Sequence, residues 1–130
     1  MTPDELIGQL TPGAPLTTTD VRFGEAELAS YRAALRAPGP ESSLVPEPLL
    51  VAACIRAFDA TFGRVPGTLH LGQDLRVSRV PAAGDLMQVG GAVSEAGPAR
   101  KGWRFQVEVE GRLADGTLCF AGRMTGQVLR

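Results

Sequence analysis

The sequence is short of several things, and each shortage excludes a class of function. It has one histidine, His70, and two cysteines, Cys54 and Cys119. A multi-histidine metal site is therefore excluded, and there is no Cys₄ or Cys₂His₂ spacing for a structural zinc. No apolar run approaches the roughly 20 residues of a membrane-spanning helix. The amino terminus, Met1-Thr2-Pro3-Asp4-Glu5, carries neither the basic nor the hydrophobic stretch of a signal peptide. Neither sign of charge is in excess. Lys and Arg number 13 against 14 Asp and Glu, a net charge of -1 that offers no electrostatic footprint for nucleic-acid phosphates. These features predict a cytoplasmic protein with no nucleic-acid or membrane partner and no metal. The two thiols are expected to be buried and unpaired rather than a disulfide.

What is present is enough for a core. Hydrophobic residues make up 44% of the 130, which argues against intrinsic disorder and fits one domain over residues 1–130. Sixteen glycines and ten prolines gather at turns and form no repeat. Residues 1–16 read as an irregular lead-in, interrupted by Pro3, Pro12, Gly13 and Pro15, with one apolar turn at Leu6, Ile7 and Leu10. Thr17 to Phe23 is rich in β-branched residues and predicts a strand ended by Gly24. Glu25 to Ala37 predicts a helix, with Leu28, Tyr31 and Leu35 on one face. Glu25 and Glu27 at its start and Arg32 and Arg36 at its end complement the helix dipole. Pro38 to Ser43 is a loop by composition, and its Glu41, Ser42 and Ser43 read as solvated.

The second predicted helix, Pro48 to Phe62, is the most informative segment. Only Arg56, Asp59 and Thr61 interrupt its apolar residues, a pattern that predicts a helix enclosed by protein on nearly every side. After Gly63 the hydrophobic period becomes two. Leu69, Leu71, Leu75 and Val77 alternate with His70, Gly72, Asp74, Arg76 and Ser78. Leu86 to Glu95, Trp103 to Glu110 and Leu118 to Thr125 follow as strands. Turns are predicted at Pro81 to Asp85, at Ala96-Gly97-Pro98 and at Ala114-Asp115-Gly116. Short turns join antiparallel neighbours. The pattern thus predicts an α+β architecture of about five antiparallel strands, curved around one long central apolar helix, which is the hotdog architecture. Such a sheet has two edges, so pairing through an edge strand is expected.

Three stretches resemble the MaoC-like hydratase/dehydratase family of hotdog proteins. Phe23-Gly24-Glu25-Ala26-Glu27-Leu28-Ala29-Ser30-Tyr31 is similar to that family's first strand-to-helix step. Gly67-Thr68-Leu69-His70-Leu71-Gly72-Gln73-Asp74-Leu75 resembles the strand after the central helix in dehydratase subunits with a His-Gly-x-Gln pattern. Arg79-Val80-Pro81-Ala82-Ala83-Gly84-Asp85 resembles the family's Arg-Pro-x-x-Gly-Asp turn. The likeness spans about residues 15–128. It implies an acyl thioester of coenzyme A or acyl carrier protein as substrate, with no separate cofactor, and addition or removal of water at a 2-enoyl bond. It also implies a tunnel beside the central helix at the interface of a homodimer or of a heterodimer with another hotdog subunit. The helix N-terminus would hold the thioester carbonyl through its dipole and free N–H groups.

The sequence departs from the family at its chemistry. The family's Asp-x-Asn-Pro-x-His motif has no counterpart in Ala37 to Pro46. The His and helical acid of the β-hydroxyacyl carrier-protein dehydratases are missing too: Arg36-Ala37-Pro38-Gly39 stands before the loop, and Val51 and Ala52 stand where an acid would. Two residues remain as catalytic candidates. His70 reads either as a hydrogen-bonded sheet or interface histidine or as a relocated acid/base, with Gln73 and Asp74 as possible partners. In a regular strand, however, Gln73 falls on the opposite face. Glu47 reads either as a carboxylate stabilised by the helix dipole or as a general base in a thioesterase. Pro46, Pro48 and Leu49 are candidate substrate contacts at the helix start. Gly90 and Gly91 mark either a close ligand approach or a bulge. Arg56 and Asp59 read as a local ion pair, and Cys54 as an unreactive thiol. The functional alternatives are a hydratase or dehydratase with atypical residues, a catalytically silent subunit paired with an active partner, and a thioesterase using Glu47.

Overall fold

The structure is a computed structural model, and it describes residues 1–35 and 44–130. The predicted loop from Pro38 to Ser43, with Glu41 and the two serines, lies outside the described residues, as does the end of the helix predicted to reach Ala37. Eight elements follow one another: α1 (Pro3–Gln9), β1 (Pro15–Arg22), α2 (Glu25–Leu35), α3 (Glu47–Phe62), β2 (Thr68–Val77), β3 (Leu86–Ala99), β4 (Gly102–Leu113) and β5 (Leu118–Leu129). All strand pairings are antiparallel, and the sheet order is β1-β3-β4-β5-β2. Among the described residues no helix is long and apolar enough to cross a membrane.

Two predicted irregular regions are regular. The lead-in contains α1, because Thr2, Pro3 and Glu5 form a helix start. The Thr2 side chain accepts from the Glu5 N–H, the Glu5 carboxylate accepts from the Thr2 N–H, and Pro3 sits in the first turn, where its missing N–H costs nothing. Leu6 and Leu10 are fully buried. The indole Nε1 of Trp103 donates to the Leu10 carbonyl at 3.1 Å and ties this helix to β4. The turn predicted at Ala96-Gly97-Pro98 is instead the last stretch of β3, and the chain reverses at Arg100 and Lys101. Pro98 is tolerated because β1 pairs with β3 only as far as Ala92, so no ladder bond is asked of the proline nitrogen.

The sheet curls around α3. Leu50, Ala53, Cys54, Ala57, Phe58 and Phe62 form the stripe of α3 that packs against it. The helix is not enclosed on every side within one chain. Val51, Ala52 and Ile55 are half-buried, and Arg56 and Ala60 are exposed. Nor do Arg56 and Asp59 pair with each other. Arg56 lies over the Phe23 ring, 5.0 Å from its centroid, and 3.8 Å from Glu27, while Asp59 pairs with Arg64 at 3.0 Å. On α2 only Leu28 is buried, and Leu35 of the predicted apolar face is exposed.

Two glycines shape the concave face. Gly111 and Gly126 stand opposite Phe120 and Phe105 in the β4–β5 register, and a Cβ at either would collide with the facing ring. The missing side chains let both aromatics lie flat on the sheet. Phe105 then stacks on Phe58 of α3, 5.3 Å between centroids and 7° from parallel.

The turn from Arg79 to Asp85 fixes where α3 begins. The Asp85 carboxylate accepts from the Ala82 N–H at 2.8 Å, and the Gly84 N–H donates to the Phe23 carbonyl at 2.9 Å. The Val45 N–H donates to the carbonyl of buried Pro81 at 2.8 Å, so this turn anchors the residue just before the helix start.

Candidate functional site

The site is built by an irregularity in β2. Residues 68–70 pair with 128–126 of β5, and residues 72–77 pair with 125–120, which leaves Leu71 as an extra residue. This bulge reverses the phase of the strand. Directly opposed residues share a face, so Thr68, His70, Gln73, Leu75 and Val77 lie with Val128, Gly126, Met124, Gly122 and Phe120 on the concave side. Leu69 lies on the convex side. The predicted alternation, which groups Leu69 and Leu71 with Leu75 and Val77, thus breaks at the bulge: Leu75 and Val77 keep the concave side, while Leu69 and Leu71 are 42% and 47% exposed. The bulge also overturns the assignment of His70 and Gln73 to opposite faces. His70 Nε2 lies 3.1 Å from Gln73 Oε1.

Behind this part of β2, against the C-terminal half of α3, lies an open cavity of about 290 Å³. Its apolar wall includes Ile55, Phe58, Phe105 and Met124, while Thr68 and His70 line its β2 side. Two buried polar atoms in the same strand have no partner among the described residues, the Thr68 hydroxyl and the Gln73 amide nitrogen. A buried polar atom without a partner is uncommon; Thr68 and His70 give the pocket a polar margin on its β2 side, and the paired Asp59 and Arg64 line it at the end of α3.

The other candidates lie elsewhere. Glu47 is exposed at the opposite end of α3, eight residues before Ile55, which at the rise of an α-helix is about 12 Å along the axis. His70 and Glu47 are therefore not brought together within one chain. Pro46 is the N-cap and provides no side-chain cap. Pro48 has no N–H, and that of Leu49 is bonded to the Pro46 carbonyl at 3.0 Å, so this helix start offers fewer free donors than most. Gly90 and Gly91 do not line the cavity; they stand in β3 opposite the bulge of β1, between Leu16 and Thr19. A Cβ at Gly91 would strike the Glu108 carbonyl, so the close approach there comes from β4.

The aromatic residues, whose faces the sequence leaves open, have separate duties. Phe105 lines the cavity, Trp103 holds α1, and Phe120 is wholly buried over Gly111. Cys54 and Cys119 are both free and buried. Burial pushes the Cys54 thiol up to about 12 and raises that of Cys119, so neither forms a nucleophilic thiolate readily.

No family model matches the chain, and no curated protein matches it. Solved structures do. An (R)-hydratase from A. caviae involved in PHA biosynthesis superposes with a TM-score of 0.75 at 18% identity, over 91% of this chain and 96% of that one. A MaoC-like dehydratase from Rhodospirillum rubrum gives 0.70 at 13% identity, over 92% and 93%. This chain has a hotdog fold. The HadBC complex of Mycobacterium tuberculosis, a 3R-hydroxyacyl-ACP dehydratase, shares that fold with a TM-score of 0.74 at 12% identity, over 89% of this chain and 96% of that one. Within the hotdog the cavity lies beside the central helix, and the edge strand β2 forms its outer wall.

Proposed function

We propose that this hotdog protein binds an acyl thioester, of coenzyme A or of acyl carrier protein, with the acyl chain in the cavity behind β2, and that it acts as a 2-enoyl hydratase or 3-hydroxyacyl dehydratase. The observation that carries this reading is the cavity itself, a largely apolar slot at the lower end of the size range of ligand sites, with His70 and Thr68 on one side and the charged Asp59 and Arg64 at the end of α3. His70 takes a proton from water as the oxygen bonds C3 of the enoyl chain, then delivers it to C2. The proton count closes on one residue.

The reading includes a second copy joined along β2. A twofold axis at that edge sets two β2 strands antiparallel and two α3 helices antiparallel. The N-terminus of one α3, with Pro46, Glu47, Pro48 and Leu49, then lies toward the His70 cavity of its mate. This arrangement reunites the two candidates that one chain keeps apart. The dipole of that helix would polarise the thioester carbonyl. A purified preparation should consume a short or medium trans-2-enoyl-CoA, and His70→Ala should lower the rate by about 10²-fold or more. Turnover that survives in His70→Ala would overturn the assignment.

A second reading is a silent subunit that lends its acyl slot to an active partner. It is favoured by the missing Asp-x-Asn-Pro-x-His motif and by the HadBC structure, which is that of a complex. It predicts binding of acyl-CoA without turnover. The thioesterase alternative predicts hydrolysis that Glu47→Ala abolishes while the fold stays intact.

A further inference from the structure

Gln73 is the residue that this site explains least well as scaffold. Its amide is drawn to the concave side by the bulge at Leu71, and its nitrogen is buried with no partner among the described residues. Its oxygen is 3.1 Å from His70 Nε2. An amide oxygen can only accept, so this contact requires the imidazole to carry its proton on Nε2. In the neutral ring the other nitrogen, Nδ1, is then bare. Gln73 does not line the cavity and His70 does, so the ring nitrogen left for a cavity ligand is Nδ1.

We propose that Gln73 is the positioning residue of His70: its amide oxygen takes the Nε2–H and keeps Nδ1 as an acceptor toward a water or hydroxyl group in the cavity. The inference deepens the reading of His70 as the proton-accepting group, and it assigns which nitrogen accepts. The Thr68 hydroxyl, also without a partner among the described residues, complements it, since a water or an alcohol needs one acceptor and one donor. Without the bulge the strand would place Gln73 on the convex side, so the extra residue at Leu71 is part of the same device.

The chain contains a single histidine, so one imidazole pattern appears in a long-range ¹H–¹⁵N correlation spectrum of the uniformly labelled protein. The spectrum is recorded at about pH 9, well above the ordinary histidine range. The wild-type ring should be the Nε2–H tautomer. Gln73→Met, which fills the space but accepts no strong hydrogen bond, should lower the ratio of Nε2–H to Nδ1–H about fivefold, the change that one ordinary hydrogen bond supports. Gln73→Glu keeps an acceptor oxygen and should restore the wild-type ratio.

An Nδ1–H tautomer in the wild type would overturn the proposal, because it would mean that the amide faces the ring through its nitrogen. An unchanged ratio in Gln73→Met would overturn it as well. If Gln73→Met does not fold, the wild-type tautomer and the Gln73→Glu ratio still decide. The readout needs no turnover: an inert enoyl-CoA assay with an Nε2–H ring removes the hydratase reading and leaves the role of Gln73 standing.

Discussion

The two edges of the sheet are finished differently. At β1 the outward positions are Pro15, Thr17, Thr18, Asp20 and Arg22, all exposed and none a large hydrophobic. A bulge between Leu16 and Thr19 interrupts the ladder. The free Thr17 N–H is satisfied by the Thr61 hydroxyl at 3.0 Å, which in turn donates to the Ala57 carbonyl at 2.9 Å. Bulges, proline and charge are the usual devices that stop an edge strand from pairing with another chain. At β2 the exposed side chains include Leu69, Leu71 and Val77, and the half-buried Ile55 of α3 lines the cavity behind them. One edge is a finished surface. The other has the composition of half an interface, and the cavity opens beside it.

Substitutions test that contrast. The largest effect is expected on the β2 side at Phe105, which spans from Gly126 to Phe58 and lines the cavity. Phe105→Ala should cost about 3–5 kcal/mol in denaturant unfolding. Gly126→Ala should follow, at about 1–3 kcal/mol, since its methyl meets the Phe105 ring and comes within 2.9 Å of the Leu69 carbonyl. At the finished edge, Thr61→Val should cost only about 1 kcal/mol, the loss of one hydrogen bond to Thr17. A larger cost there than at Gly126 would reverse the contrast.

A fourth prediction concerns pH. The Cys54 thiol titrates at about 12 in the fold, above its ordinary value of 9.0, because burial disfavours the thiolate. Its contribution is complete below pH 9 and is lost as pH rises toward 12, since the unfolded chain ionises first. Stability should fall by about 1 kcal/mol per pH unit in that window from this group alone. Cys54→Ala should flatten that slope, which chemical denaturation at pH 8 and pH 10.5 would show.

The order of the strands and the central helix was legible because both follow from hydrophobic period. The period changes from helical to two after Gly63, and turn residues separate the later strands. α1 was hidden by proline: Pro3 reads as a breaker unless Thr2 and Glu5 are seen as its capping box. The candidate site was half legible. His70 stands out as the lone histidine, but its true face depends on a one-residue bulge, and period counting assumes that none is present. Gln73 is legible as a partner of His70 only once that bulge is allowed for, since a regular strand sets the two on opposite faces. The glycine at position 72, next to the bulged residue, is the signal that could have found it. The separation of His70 from Glu47 within one chain was legible in spacing, because the two stand at opposite ends of the predicted helix and its length keeps them apart. The apolar surplus of α3, by contrast, was visible in the sequence. Val51, Ala52 and Ile55 remain partly uncovered in one chain, so that surplus points to a second body.

The central claim is that the β2 edge joins two copies of this chain, and sedimentation velocity tests it most directly. The wild-type chain should sediment at about 27 kDa, twice its 13.7 kDa, and Leu69→Lys combined with Leu71→Lys should return it to 13.7 kDa with little change in thermal stability. A wild-type chain that stays at 13.7 kDa at tens of micromolar, or a double variant that still pairs, would contradict the account.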